Sequence, residues 1–218
     1  MPNDLTPADV RRLVGYEDAL ILEIGANEGD DSAGFLEAFP SGWLECFECD
    51  ARAIAKWNRN IDNERARLWE VAVADHCGPV QFFPSDGTPP GQQWDGYGDH
   101  WDKSGSLLPN DHHTDYSRWL RFGDPVAVAG ITLDCWARQH LRRPRVAFAW
   151  IDCQGAEAMV LRGAVETLPR IDWVYCECHR LPFYQGQATL AELDELLAGF
   201  ARVGTFGDNY LWENKVLA

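Results

Sequence analysis

The chain has 218 residues, 46% of them hydrophobic, and its 34 acidic and 19 basic side chains give a formal charge of −15. That length suits one domain with a full core, and so acidic a chain is a poor tracker of phosphates, which need clustered Lys and Arg. No run approaches eighteen apolar residues, the start lacks a signal-type apolar core, and seven cysteines suit reduced, buried thiols, so a cytoplasmic chain without a membrane span is expected.

Thr6 followed by Pro7 predicts a capped helix over TPADVRRLV. ALILEIG (19–25) is too continuously apolar for a half-exposed strand and predicts a buried one. After the turn Gly25-Ala26-Asn27-Glu28-Gly29 comes a helix over DSAGFLEAF, then a second strand, WLECFECD (43–50). Asp50 caps the helix ARAIAKWNRNI, whose Ile54, Trp57 and Ile61 share a face. ARLWEVAVA (66–74) predicts a third strand. The alternation implies parallel pairing through right-handed crossovers.

From Pro84 to Pro125 the pattern breaks into a stretch rich in Gly, Pro, Asp, His and Trp. Such stretches inside a compact domain are functional or disordered, and the aromatics here point to a lid or acceptor-facing insertion. Regularity returns with a helix over TLDCWARQHL (132–141) capped by Thr132, a strand VAFAWID (146–152), a helix over 154–168 and a strand DWVYCEC (172–178). The dense basic stretch RQHLRRPR (138–145) reads as a solvated helix end, where cations suit the dipole. Thr189 and Glu192 form a capping box for LAELDELLAGFARV. Two extended runs joined by Gly207-Asp208 close the chain as a hairpin. One domain over 1–218 is expected: an α/β fold with a mostly parallel seven-stranded sheet, helices on both faces and a C-terminal antiparallel hairpin. That topology fits the Rossmann-like class I methyltransferase fold better than a plain dinucleotide-binding sheet.

Ligands of open parallel sheets bind beyond the carboxyl ends of the strands. Those ends read Glu23, Glu48, Ala74-Asp75, Asp152 and Glu177. Buried acids are costly unless partnered, and a cationic, hydroxyl-rich ligand such as S-adenosylmethionine (SAM) would partner them. The turn after Glu23 suits a dinucleotide, a phosphate or SAM, because Gly25 and Gly29 admit close backbone approach and Asn27 tolerates φ > 0. It lacks the third glycine of the dinucleotide fingerprint. Glu48 supports a ribose, in NAD and SAM alike.

The block AWIDCQGAEAMVLRGA (149–164), taken with the first turn, resembles the FkbM family of SAM-dependent methyltransferases, in which an I-D-x-E-G-A-E strand end runs into a V-L-x-G-A helix. The T-L-D of ITLD (131–134), the G-S-L of SGSLL (104–108) and Glu177 follow the same pattern. The resemblance covers most of residues 20 to 216. It implies SAM on the Gly25–Gly29 turn with the ribose on Glu48, the cofactor set being Glu23, Gly25, Ala26, Asn27, Gly29, Glu48, Cys49, Ala74 and Asp152. It implies methylation of a hydroxyl on a sugar, a glycan or a small natural product. One departure stands out: Gln154 occupies the position of the family's usual glutamate.

Methyl transfer from a sulfonium asks chiefly for alignment, and an alcohol acceptor asks for a base. Asp152 and Glu177 are the first candidates for that base, with His179 next. Asp152 as a helix cap, Glu177 as an arginine's partner and His179 as a packed histidine are the structural alternatives. Cys46-x-x-Cys49 with Cys176-x-Cys178 is not read as a metal site, because period two points Cys46 and Cys49 to opposite faces of a strand. Asp111, His112, His113 and Asp115 could hold a divalent cation, and a polar lid tip explains them equally well; no metal is assigned. Two other functions compete: a catalytically degenerate SAM-binding protein and an NAD-dependent oxidoreductase.

Overall fold

The computed structural model describes residues 4–91 and 101–216. Helix α1 (Pro7–Val14) starts from Thr6, which exchanges hydrogen bonds with Asp9 in a capping box, and stops at Gly15 in the left-handed region. Then come β1 (Leu20–Ile24), α2 (Asp30–Ala38), β2 (Trp43–Phe47) and α3 (Ala51–Asn60), which Asp50 caps through the Arg52 N–H. Four short strands follow: β3 (Ala66–Trp69), β4 (Ala72–Val73), β5 (Gly78–Phe82) and β6 (Ser85–Asp86). Past the single helical turn α4 (His113–Tyr116) lie β7 (Arg121–Phe122), β8 (Val126–Ile131) and α5 (Leu133–His140), capped by Thr132. The chain ends with β9 (Val146–Ile151), α6 (Glu157–Arg162), β10 (Ile171–Glu177), α7 (Leu190–Leu196), β11 (Phe200–Phe206) and β12 (Asn209–Asn214).

Seven of these strands form one sheet in the order β11-β12-β10-β9-β1-β2-β3. β1 pairs in parallel with β2 and β9, and the hairpin β11–β12 joins β10 antiparallel through β12. This is the mostly parallel α/β sheet with a closing hairpin expected from the sequence. The order reverses between β1 and β9, which opens a crevice at their carboxyl ends. Strand periodicity sends Leu22, Ile24, Ala149 and Ile151 into one apolar layer with Trp136, Val160 and Trp212. Ile21, Phe148, Trp150 and Tyr175 enter the opposite layer, with Phe35 and Trp57.

Residues 66–74 are not one strand. The chain bends at Glu70-Val71, where the Val71 N–H bonds to the Trp69 carbonyl (2.8 Å), and β4 leaves for a second sheet of order β4-β8-β5. Neither β5 nor β8 stands out in the sequence. Pro79 interrupts the first, and VAVAGI, made of small residues and largely solvent-facing, lacks an alternating pattern. The helix after β9 is also shorter than expected, confined to Glu157–Arg162. The excursion over 84–125 leaves and returns through the β6–β7 pair, Ser85 against Phe122 and Asp86 against Arg121. Nor are all the cysteines buried, for Cys77 is exposed. No helix among the described residues is long and apolar enough to cross a membrane.

Candidate cofactor and acceptor site

The crevice between β1 and β9 is an open cleft beyond the carboxyl ends of the strands, where ligands of such sheets bind. Gly25, Ala26 and Asn27 form one wall, Glu48 and Cys49 another, and Asp152, Cys153 and Gln154 a third. Backbone bonds weld the turn in place: Gly25 and Ala26 N–H groups reach the Phe47 carbonyl at 3.0 Å, and Asp152 N–H reaches Ile24 at 2.9 Å. Gly25 has φ +90°, and a Cβ there would lie 1.8 Å from the Asp152 carbonyl oxygen. Gly29 also has positive φ, but its missing Cβ makes room for Trp57 and Ile61 of the α3 layer, and it does not line the cleft. The cleft-facing part of the turn is therefore Gly25 to Asn27.

Glu48 closes the turn from the side. Its Oε2 accepts from the Asn27 N–H (2.9 Å), and its Oε1 accepts from the N–H groups of Cys49 (2.7 Å) and Asp50 (2.8 Å). Burial pushes its carboxyl up, against the pull of these three N–H donors. Asn27 has φ 44°, and its Oδ1 is buried without a hydrogen-bond partner among the described residues. An unpartnered acceptor in a cleft wall is costly unless a ligand supplies a donor. Cys49 packs with Ala72 and Leu107 into an apolar side of the cleft.

Carboxylates dominate the charge on these walls. Lys103 is paired with Glu28 (2.5 Å) and Asp30 (3.2 Å), and Lys56 neutralises Asp102 (2.7 Å). Asp31, Glu48 and Asp152 have no cationic partner among the described residues. A pyrophosphate would meet repulsion here, and a sulfonium with an ammonium would be drawn in. The residues present fit SAM.

Besides Gly29, two more of the expected cofactor residues stand elsewhere. Glu23 points to the opposite layer, where its Oε2 accepts from Ser32 Oγ (2.6 Å) and Cys46 Sγ (3.3 Å), and Trp57 Nε1 completes the chain on Ser32 Oγ (2.9 Å). Burial pushes Glu23 up to about 8. Ala74 is buried behind β4, its carbonyl against Gly163. Both support the frame of the cleft without lining it.

Asp152 faces the cleft from the turn after β9. Loss of solvent, and then the neighbouring Glu177, push its carboxyl up to about 7. Glu177 at the end of β10 is held on both oxygens: Gln154 Nε2 donates to Oε2 (3.1 Å) and His179 Nε2 lies 3.2 Å from Oε1. His179 reaches Asp208 of the hairpin through Nδ1 (3.4 Å). Burial opposes a charge on His179, but the bonds to Glu177 and Asp208 outweigh it and raise it to about 9. So held, His179 carries a proton at neutral pH and acts as an anchor between two carboxylates. The turn itself is closed by Glu157, whose Oε1 accepts from Cys153 (3.0 Å) and Gly155 (3.1 Å).

Three residues of this site were not legible in the sequence. Tyr184 is fully buried, and its hydroxyl meets the Ser104 carbonyl (2.9 Å), Gln154 Oε1 (3.2 Å) and His113 Nδ1 (3.1 Å). Its ring lies where a Cβ on Gly155 would stand, at 2.7 Å. His113 stacks on Phe183 (4.6 Å, 11°), and burial and then His179 hold it below the ordinary imidazole range. Asp208, read from sequence only as a turn residue, anchors His179. No local pattern marks any of these roles.

The fold and site define a class I methyltransferase. The family model described as "Methyltransferase FkbM domain" matches residues 23–204. The 2-O-methyltransferase NoeI of Sinorhizobium fredii (strain NBRC 101917 / NGR234) is 37% identical over 195 residues, covering 89% of this chain and 77% of that protein. A crystal structure of a methyltransferase FkbM from Methylobacillus flagellatus KT superposes with TM-score 0.55 at 12% identity, over 96% of this chain and 48% of that one. A putative rRNA-methylase from Clostridium thermocellum shares the fold at TM-score 0.51 and 8% identity, over 97% and 96% of the two chains. The chain belongs to the FkbM methyltransferase family. It is an O-methyltransferase, and the family implies SAM as its methyl donor.

Proposed function

We propose that the chain holds SAM along Gly25–Asn27 with the ribose on Glu48 and the adenine against Cys49, Ala72 and Leu107. It methylates a hydroxyl of a sugar, a glycan or a small natural product that the 84–125 lid presents. The carrying observation is Asp152, a carboxylate on the wall of the cleft with no cationic partner among the described residues. The relative named as a 2-O-methyltransferase supports oxygen as the accepting atom. All seven cysteines are free thiols, which suits work in the cytoplasm.

SAM, when bound, supplies a methyl group on a sulfonium. The chain's own part is alignment of the acceptor and removal of its proton. Asp152 is the residue to take that proton. Glu177 is less free, because Gln154 and His179 occupy its oxygens. Calorimetry tests the cofactor: SAM and S-adenosylhomocysteine should bind and NAD should not, and saturable NAD binding without SAM binding sinks the reading. Asp152→Asn should lower turnover by about 10²–10⁴ with SAM affinity nearly unchanged.

A further inference from the structure

Every polar atom of the Gln154 side chain is used. Its Nε2 donates to Asp152 Oδ1 (2.7 Å) and to Glu177 Oε2 (3.1 Å), while Oε1 (3.2 Å) shares the single proton of the Tyr184 hydroxyl with the Ser104 carbonyl (2.9 Å). A primary amide has two N–H donors, and this arrangement spends both on the two carboxylates. Its backbone sits at φ 51°, a left-handed conformation rare for a side chain of this kind. Such a conformation persists where the surroundings over-determine it. A glutamate here would bring no donor unless protonated, and it would add a third carboxylate to the pair.

We infer that Gln154 is a positioning residue: its amide holds Asp152 and Glu177 as a fixed pair and, through Tyr184, ties that pair to Ser104 and His113 of the lid. The link to turnover rests on Asp152 as the base; the positioning itself does not. Like charges so close cannot both ionise freely without a bridging donor. The amide lets Glu177 stay with His179 while Asp152 turns toward the cleft. The titratable groups around it are Asp152, Glu177 and Glu157, Asp31 on α2, His113 on α4, Tyr184, and His179 with Asp208 from the hairpin.

The test compares wild type with Gln154→Glu and with Gln154→Met, which keeps the length and removes the amide. Carbon NMR of labelled carboxyl groups in the ligand-free protein reads the Asp152–Glu177 titration, and melting checks that each variant folds. In Gln154→Glu the midpoint of the pair should rise by about one pH unit or more, and the acid limb of kcat should move the same way. In Gln154→Met, kcat should fall about tenfold or more and the acceptor KM should rise, with S-adenosylhomocysteine affinity within about twofold of wild type. Should Gln154→Glu leave both titration and pH profile unmoved, the inference is overturned, whatever the state of Gln154→Met. Should the titration move while Asp152→Asn keeps full activity, the positioning stands and the base is elsewhere.

Discussion

The backbone N–H of Asn27 donates to Glu48 Oε2 across 2.9 Å and 21 positions of sequence, so the acid at the end of β2 also braces the glycine turn after β1. Glu48→Ala should therefore act twice. It should weaken SAM binding by roughly 1–3 kcal/mol, the cost of losing a charged hydrogen-bond partner. It should also speed amide exchange at Asn27, Cys49 and Asp50. Calorimetry and hydrogen exchange measure the two effects separately, and unchanged SAM affinity would remove Glu48 from the ribose site.

Glu23 predicts a pH dependence of stability. Its ordinary value is 4.5, and burial raises it to about 8 in the folded chain. The folded state then keeps a proton that the unfolded chain gives up, so its stability contribution is present below about pH 4.5 and is lost as pH rises through about 8. Glu23→Gln removes that titration while keeping the shape. At pH 8 the variant should melt several degrees above wild type, and the gap should narrow steadily as pH falls toward 4.5. A gap independent of pH would contradict a buried, titrating Glu23.

Tyr184→Phe isolates the link between lid and catalytic turn. Losing one hydroxyl that meets Ser104, His113 and Gln154 should cost about 0.5–1.5 kcal/mol of stability. Acceptor KM should rise while SAM affinity holds. Equal losses of both affinities would mark the tyrosine as a purely structural member of the core.

Cys135 offers a check away from the site. Its sulfur accepts from Arg138 Nη2 at 3.5 Å, and bonds from Cys77, then Thr132 and Arg138, draw the thiol down to about 7. Alkylation of the Cys135 peptide, followed by mass spectrometry, should switch on near neutral pH. Arg138→Ala should move the midpoint upward. A wild-type midpoint at the ordinary thiol value of about 8.5 would refute the assigned environment.

The helix starts at Thr6, Asp50, Thr132 and Thr189 could be read from sequence because a cap bonds within three residues of itself. The continuous burial of β1 and β9 and the Gly207-Asp208 hairpin are equally local, and the order of strands and helices then restricts the sheet to few topologies. The I-D-x-x-G-A-E block added the family. What sequence could not say is which face each strand-end acid takes once the chain is packed. Glu23 and Glu48 both end central strands, yet one is sealed under α2 and the other lines the cleft.

By itself, then, the sequence determined the capped helices and most strands of the main sheet, the class of that sheet and the presence of Asp152 and Glu177 at one rim. Only the tertiary structure decided that Gln154 bridges those two acids, that Tyr184 joins Gln154 to Ser104 and His113 more than seventy residues earlier in the chain, and that His179 lies between Glu177 and Asp208. It also decided that residues 72–73 leave the main sheet to pair with β8. The reason is physical. Caps and periodicity express forces between near neighbours, whereas a carboxylate's partner and its proton affinity depend on side chains brought together from distant parts of the chain by burial.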